Sequence, residues 1–512
     1  MKRIYFFFAV AIITLATACS KEKMNTFPTD QVSEGIVFTS LANIEKALNG
    51  AYRATYNQFT NQHRDGHGAV MILMDAMGED YVRSRTGYTY HRGAYRWEDH
   101  RNPSSANVVG FVWDFYYLIV GNLNKILDNI DEVEGDPARK ARIKAEALTL
   151  RAWAHHYLIQ LYAKRYQEGG NNTQPGIPIN LTHSITSTGR GTVEAAYQAI
   201  NDDLDQAISI FGGAIARTLK THINISVAQG VKARVLLTQH RYSEAALMAK
   251  AARESFASET NAGEAIMSEN DYFAGFSNLS NVEWMWGVQQ LEQQVPTYGG
   301  FFRYMSSNIN SGFTRTNPKS MNSVLWQSIS PTDYRRKLWW DGTTADRVNF
   351  PGVINAETGN PVSGQTFVAY QHKKYVTADY RFAAGDIPFM RTSEMYLIEA
   401  EGYARSEQYG LAQQTLFTLI SKRDPDYVLS TNTGAALINE VMHHRRVELW
   451  GEGFRFLDLK RTNSDLDRRN ANHTSTLANV LFMAAGANEW TWMLPISELN
   501  DNPNLTLQDQ NP

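Results

Sequence analysis

The chain has 512 residues, too many for one small core and enough for a large domain or two fused lobes. Its 43% hydrophobic and 20% charged residues are an ordinary globular balance, which argues against long disordered regions. A net charge of -3 with no basic block offers nucleic acid no footprint, and the single cysteine, Cys19, excludes an internal disulfide framework and a Cys-based metal site.

Lys2 and Arg3 precede an apolar run over residues 4–18. A basic start and an apolar stretch of this length predict a secretory signal, too short for an ordinary spanning helix. Leu15-Ala16-Thr17-Ala18-Cys19 resembles a bacterial lipobox, in which the cysteine is acylated and becomes the mature N-terminus. The alternative is an ordinary secretory signal that happens to carry a cysteine. Each buried acyl methylene adds about 0.8 kcal/mol, so several chains would hold the protein at a membrane. The organisation expected is a leader over 1–18, a lipidated tether over 19–30, and a body divided into 31–260 and 261–512 that packs as one unit.

Thr39 or Ser40 is expected to cap a first helix, with Leu41, Ile44, Leu48 and Ala51 on one face. Residues 61–107, rich in Gly, Arg, Tyr and His, read as long loops. Helical spacing resumes over about 109–130. Asp136 and Pro137 predict a strong helix start, and that helix runs through Leu161 and Tyr162. A loop follows over 170–191. Val193, Tyr197, Ile200, Leu204 and Phe211 then predict an amphipathic helix. Ala233 and Ala245, and again Ala400 and Ala412, have the spacing of small residues in tetratricopeptide hairpins. Residues 261–390 read as a loop-rich insertion with a strand over 282–288.

Five segments stand out in order: Ala47-Leu48-Asn49-Gly50-Ala51-Tyr52; Glu146-Ala147-Leu148 with Leu150-Arg151-Ala152; Arg391 with Glu394-Met395-Tyr396-Leu397-Ile398; Arg445-Arg446-Val447-Glu448-Leu449 with Glu452-Gly453; and Asn502-Pro503-Asn504-Leu505. Taken together they resemble the SusD/RagB family. The likeness covers nearly the whole mature chain. Phe454 departs from it, standing where relatives often carry a polar residue. The resemblance implies a mostly α fold, with tetratricopeptide-like hairpins as scaffold and an irregular, ligand-facing part. It also implies a lipoprotein of the outer membrane, facing the exterior, that passes glycan to a TonB-dependent barrel of the SusC/RagA type. Arg391, Glu394, Arg455 and Asp458 read as structural ion pairs.

No phosphate loop, serine elbow or zinc helix is present, so neither catalysis nor a cofactor is expected. His155-His156 and His443-His444 point to different helix faces, and His63 and His67 around Asp65 read as solvated surface. Glu79 and Asp80 would be the acid pair of a glycosidase, but a solvated or structural pair is the simpler reading. Sugar binding wants flat aromatics among amides, carboxylates and guanidinium groups. Two stretches fit. The first holds Tyr88, Tyr90 and Trp97, with Arg83, Arg85, Arg92 and Asp99 nearby. The second holds Tyr298, Phe302, Tyr304 and Phe313, with Arg303 and Asn308. Trp97, Tyr90, Tyr298 and Tyr304 are the rings most expected to be exposed. Trp284 and Trp286 are expected to be structural. A peptide ligand, as in RagB-like relatives, and a glycoside hydrolase are the alternatives.

Overall fold

The computed structural model describes residues 38–512 apart from 88–89, 214–216, 296–297 and 356. Cys19, the leader and the tether lie outside the described residues, as does Tyr88. Ser40 caps α1 (Leu41–Ala54) by accepting from the Asn43 backbone N–H, and Leu41, Ile44, Leu48 and Ala51 are buried as their spacing predicts.

The next stretch corrects the sequence reading. Residues 66–77 form a helix, α2 (Gly66–Met77), and every residue of it is buried. Its run of Ala, Val, Met, Ile and Leu is apolar on all sides, so no amphipathic period marks it. Asp65 and His67 are buried with it rather than solvated; His67 Nδ1 lies 2.9 Å from Tyr116 Oη, between Trp153 and Phe389. β1 (Tyr81–Arg83) follows.

The helical scaffold then builds in sequence. After a π turn over Ala106–Gly110 come α3 (Phe111–Asn129), α4 (Pro137–Tyr162) and α5 (Val193–Phe211), then α6 (Ile225–Thr238) and α7 (Tyr242–Thr260). Asp136 caps α4 at 2.8 Å from the Arg139 N–H. β2 (Trp284–Val288), α8 (Phe301–Met305), β3 (Lys319–Met321) and β4 (Ile387–Arg391) belong to or border the insertion. The chain returns to the scaffold in α9 (Thr392–Arg405), α10 (Tyr409–Ile420), α11 (Gly434–Glu448) and α12 (Arg455–Arg461), and α13 (Ile496–Asp501) lies near its end.

Each helix packs on its predecessor from α3 to α7; α7 then packs on α9, and α9 on α10 and α11. The two predicted hairpins, α6–α7 and α9–α10, are thus neighbours in one stack. Ala233, Ala245, Ala400 and Ala412 are fully buried, and their small side chains let the helices approach. The fold is mostly α, with tetratricopeptide-like hairpins as its scaffold.

β2 pairs antiparallel with β4 and closes the base of the insertion, burying Trp284 and Trp286. β1 pairs antiparallel with β3, which fastens the insertion to the N-terminal part. Beneath this junction lies a buried ionic network. Arg391 reaches Glu283 at 2.7 Å, Glu448 at 3.1 Å and Glu452 at 2.6 Å. Arg423 shares Glu283 and Glu448, Arg335 bridges Asp333 and Glu448, and Lys374 holds Glu452. Burial alone would raise the Glu448 carboxyl, but Arg423, Arg391 and Arg335 overcome it and hold the group well below its ordinary range. Arg391, Glu394, Arg455 and Asp458 all form ion pairs, as read from the sequence. The odd residue Phe454 lies between the guanidinium groups of Arg234 and Arg445, at 5.2 and 5.1 Å.

Candidate functional site

The loop over 56–65, between α1 and α2, meets Tyr298 and Gly299, which lie beyond β2 in the chain. Gln58 Nε2 donates to the Tyr298 carbonyl at 2.9 Å and ties the two together. Gly299 sits at φ +92°, and a Cβ there would lie 2.7 Å from Gln58 Nε2 and 2.9 Å from Gln62 Cα. Only glycine allows so close an approach at that backbone angle. The Tyr298 ring stands clear of the junction, 72% exposed. Arg303 is half-buried near it. Its Nε is buried without a hydrogen bond among the described residues, and burial lowers its pKa while Tyr298 pulls it back up.

A cleft of about 270 Å³ opens at the C-terminal half of α1. Asn49, Gln289 and Gln294 line it with amides, and Arg53 lies 4.6 Å over the Tyr56 ring. His222 also lines it; burial, helped by Arg217 and Arg142, lowers that imidazole to about 4, so it is uncharged at neutral pH. The cleft can therefore offer donors and acceptors for hydroxyls at a charge that stays constant around neutrality. A polar rim continues along the loop, where Asn61 Nδ2 and Arg64 Nε both donate to Asn107 Oδ1.

The other aromatic candidates among the described residues are buried. Tyr90 stacks on His63 at 4.7 Å and packs on Tyr304 and Phe313 at 4.9 and 5.0 Å. The Tyr304 and Tyr81 hydroxyls meet at 2.8 Å. Phe302 is fully buried; a Cβ on Gly385 would lie 2.6 Å from its ring. Trp97 is buried against Phe456 and Trp490 and donates from Nε1 to the Met77 carbonyl at 2.9 Å. The expectation of exposed rings at Tyr90, Trp97 and Tyr304 is therefore corrected, and Phe302 and Phe313 are buried too. These residues pack on partners far away in the chain, leaving no free face for a sugar. Asn308 braces the insertion, donating to the Thr377 carbonyl at 2.9 Å and accepting from Ser306 Oγ at 2.6 Å.

Glu79 and Asp80 are buried and paired. Arg455 holds Glu79 at 2.5 Å, and Arg446 holds Asp80 at 2.6 Å. Among the described residues, no cluster of three or more His, Cys, Asp or Glu is placed to hold a metal ion, and no helix is long and apolar enough to cross a membrane.

A family model described as "Starch-binding associating with outer membrane" matches residues 24–237, and the SusD family model matches residues 302–512. The chain belongs to the SusD/RagB family. No curated protein sequence matches this SusD/RagB member. A SusD-like carbohydrate binding protein from Bacteroides vulgatus ATCC 8482 superposes with a TM-score of 0.77 at 22% identity, covering 92% of this chain and 98% of that one. A laminarin binding SusD-like protein gives 0.68 at 17% identity, covering 93% and 99%. Surface glycan-binding protein A from Bacteroides thetaiotaomicron gives 0.67 at 16%, also covering 93% and 99%. At these identities the likeness establishes the SusD-type fold.

Sequence reasoning missed Gln58, Asn61, Arg64 and the cleft residues Arg53, Tyr56 and Gln294. The signal was present: residues 57–62 carry four amides around Phe59, an unusual density for a short connection.

Proposed function

We propose that this protein is a cell-surface glycan-binding lipoprotein, anchored through Cys19, that captures oligosaccharide without cleaving it and passes it to a partner TonB-dependent barrel. The reading is carried by a cleft lined by amides and by an exposed Tyr298 ring in the chain that follows Gln294, on a scaffold shared with proteins named for binding carbohydrate and laminarin. A flat ring can stack on the C–H face of a pyranose, while Asn49, Gln289 and Gln294 address its hydroxyls. The outer-membrane reading is supported by the family description and by the lipobox-like leader.

Calorimetric titration against neutral oligosaccharides, acidic oligosaccharides and peptides tests this. Saturable glycan binding is expected, with no product seen by chromatography. Tyr298→Ala should weaken it by about tenfold or more, as loss of a central aromatic anchor does. Peptide binding alone, or release of shorter sugars, would overturn the reading.

A further inference from the structure

A second cleft, of about 800 Å³, lies between α3, the loop over 178–188 and α13, and shares no lining residue with the cleft at the C-terminal half of α1. Its size is within the roughly 300–1,000 Å³ of ligand sites. The loop is an arch pinned at both feet. At one foot Tyr117 Oη donates to the Pro178 carbonyl at 2.7 Å, Asn124 Nδ2 to Asn180 and Thr182, and Arg151 to Leu181. At the other, Asn502 Nδ2 donates to the Thr188 carbonyl at 2.9 Å and Asn504 Nδ2 to Ser187 at 2.6 Å. Ile185 stands at the crown, 99% exposed.

Gly121 supplies one wall. It lies in the middle of α3, where glycine weakens a helix, yet no atom lies within 4 Å of where its Cβ would be. Helix packing therefore does not require the glycine, whereas its missing side chain keeps the cleft open. Asp114 and Glu498 put two carboxylates on the lining, with hydroxyls from Ser184, Thr186 and Thr188, and no Lys or Arg lines it among the described residues. Burial raises the Asp114 carboxyl; the Arg64 charge draws it partly back, and nearby Glu498 pushes it up again.

We infer that this cleft is a second carbohydrate site, which takes an uncharged oligosaccharide beneath the arch and rejects acidic ones. The inference rests on the glycan-binding reading above. The hydroxyls and carboxylates suit sugar hydroxyls, while Leu118 and Leu181 offer apolar contact to C–H faces. An extended peptide would need a free backbone edge. Here the carbonyls at both feet of the arch are already taken. The carboxylates repel a uronate or sulfate at close range.

The test is calorimetry on the purified protein with laminarihexaose, maltoheptaose and mannohexaose, with pentagalacturonate as the acidic probe and a mixed hexapeptide library as the peptide probe. The wild type should take two neutral oligosaccharides. Gly121→Trp fills the cleft from an open position and should leave one, with an unchanged or higher Tm. Tyr298→Ala should retain the cleft's binding. Asp114→Asn/Glu498→Gln should bind pentagalacturonate at least about tenfold tighter than wild type. Binding that Tyr298→Ala abolishes and Gly121→Trp leaves intact would overturn this inference and spare the proposed function. Binding lost only in Gly121→Trp would keep this cleft as a carbohydrate site and overturn the assignment of glycan capture to Tyr298. Peptide displaced by Gly121→Trp would overturn the ligand class, and no oligosaccharide binding at all would overturn both.

Discussion

Tyr298 and Trp97 show how one residue type serves two ends. Glycines and polar residues surround both in the sequence, which predicts two exposed rings. Tyr298 is exposed because Gly299 and Gly300 carry its loop over Gln58 at positive φ. Trp97 is buried because Phe456 and Trp490, more than 350 residues away, close over it, and no local pattern records that. Trp97→Ala should therefore cost about 3–5 kcal/mol of stability in a urea titration. Tyr298→Ala should cost almost none and act on ligand affinity alone. Asp65 gives a second expectation. Burial raises its carboxyl to about 7, with the Phe301 N–H drawing it only partly back. The folded state then holds a proton that the unfolded chain has released, so this group lowers stability as pH rises from about 4 to 7. Asp65→Asn should flatten that slope, which amounts to about 3 kcal/mol between pH 5 and pH 8, measured by urea unfolding at those two values. An unchanged slope would mean that Asp65 is solvated.

The elements divide by whether they have two faces. α1 and α5 are amphipathic, and α4 announces itself through Asp136 and Pro137, so periodicity and caps located all three. α2 is buried on every side and was invisible to the same reasoning. Small residues in the stack were legible in part: the alanines of α6–α7 and α9–α10 could be read, but the closest crossing depends on a glycine. A Cβ on Gly402 in α9 would lie 2.5 Å from the Tyr242 carbonyl and 2.9 Å from the Ala246 Cβ of α7. Gly→Ala in a helix usually gains up to about 1 kcal/mol. Gly402→Ala should instead lose about 1–3 kcal/mol, because the helices must separate. Gly50→Ala in α1, where nothing lies within 4 Å, is the matched control and should gain the ordinary amount. Equal effects of the two substitutions in thermal unfolding would show that the α7–α9 crossing is looser than described.

At the scale of the molecule, the junction between insertion and scaffold depends on charges collected from six separate stretches. Arg391 and Glu448 stand in segments whose family likeness is plain, and ion pairing is expected of Arg391. Their partners Glu283, Arg335, Lys374 and Arg423 carry no such mark and meet only in three dimensions. Removing one partner from a buried network costs more than the pair is worth, because the remaining charges stay desolvated. Arg391→Met should leave Glu283, Glu448 and Glu452 with less compensation and lower stability by about 3–5 kcal/mol at neutral pH. The pH dependence separates this from simple loss of packing. Glu448 and Glu452 are held below the ordinary carboxylate range despite burial. In the wild type their contribution is present above the unfolded value near 4.3 and is lost as pH falls further, through the folded values. In Arg391→Met, Glu452 loses its chief cation and Glu448 one of its three, burial raises them, and protonation relieves the penalty. The gap between wild type and variant should thus be widest near pH 7.5 and narrow towards pH 4.5 in urea titrations. A gap independent of pH would assign the loss to the packing of the Arg391 side chain and not to its charge.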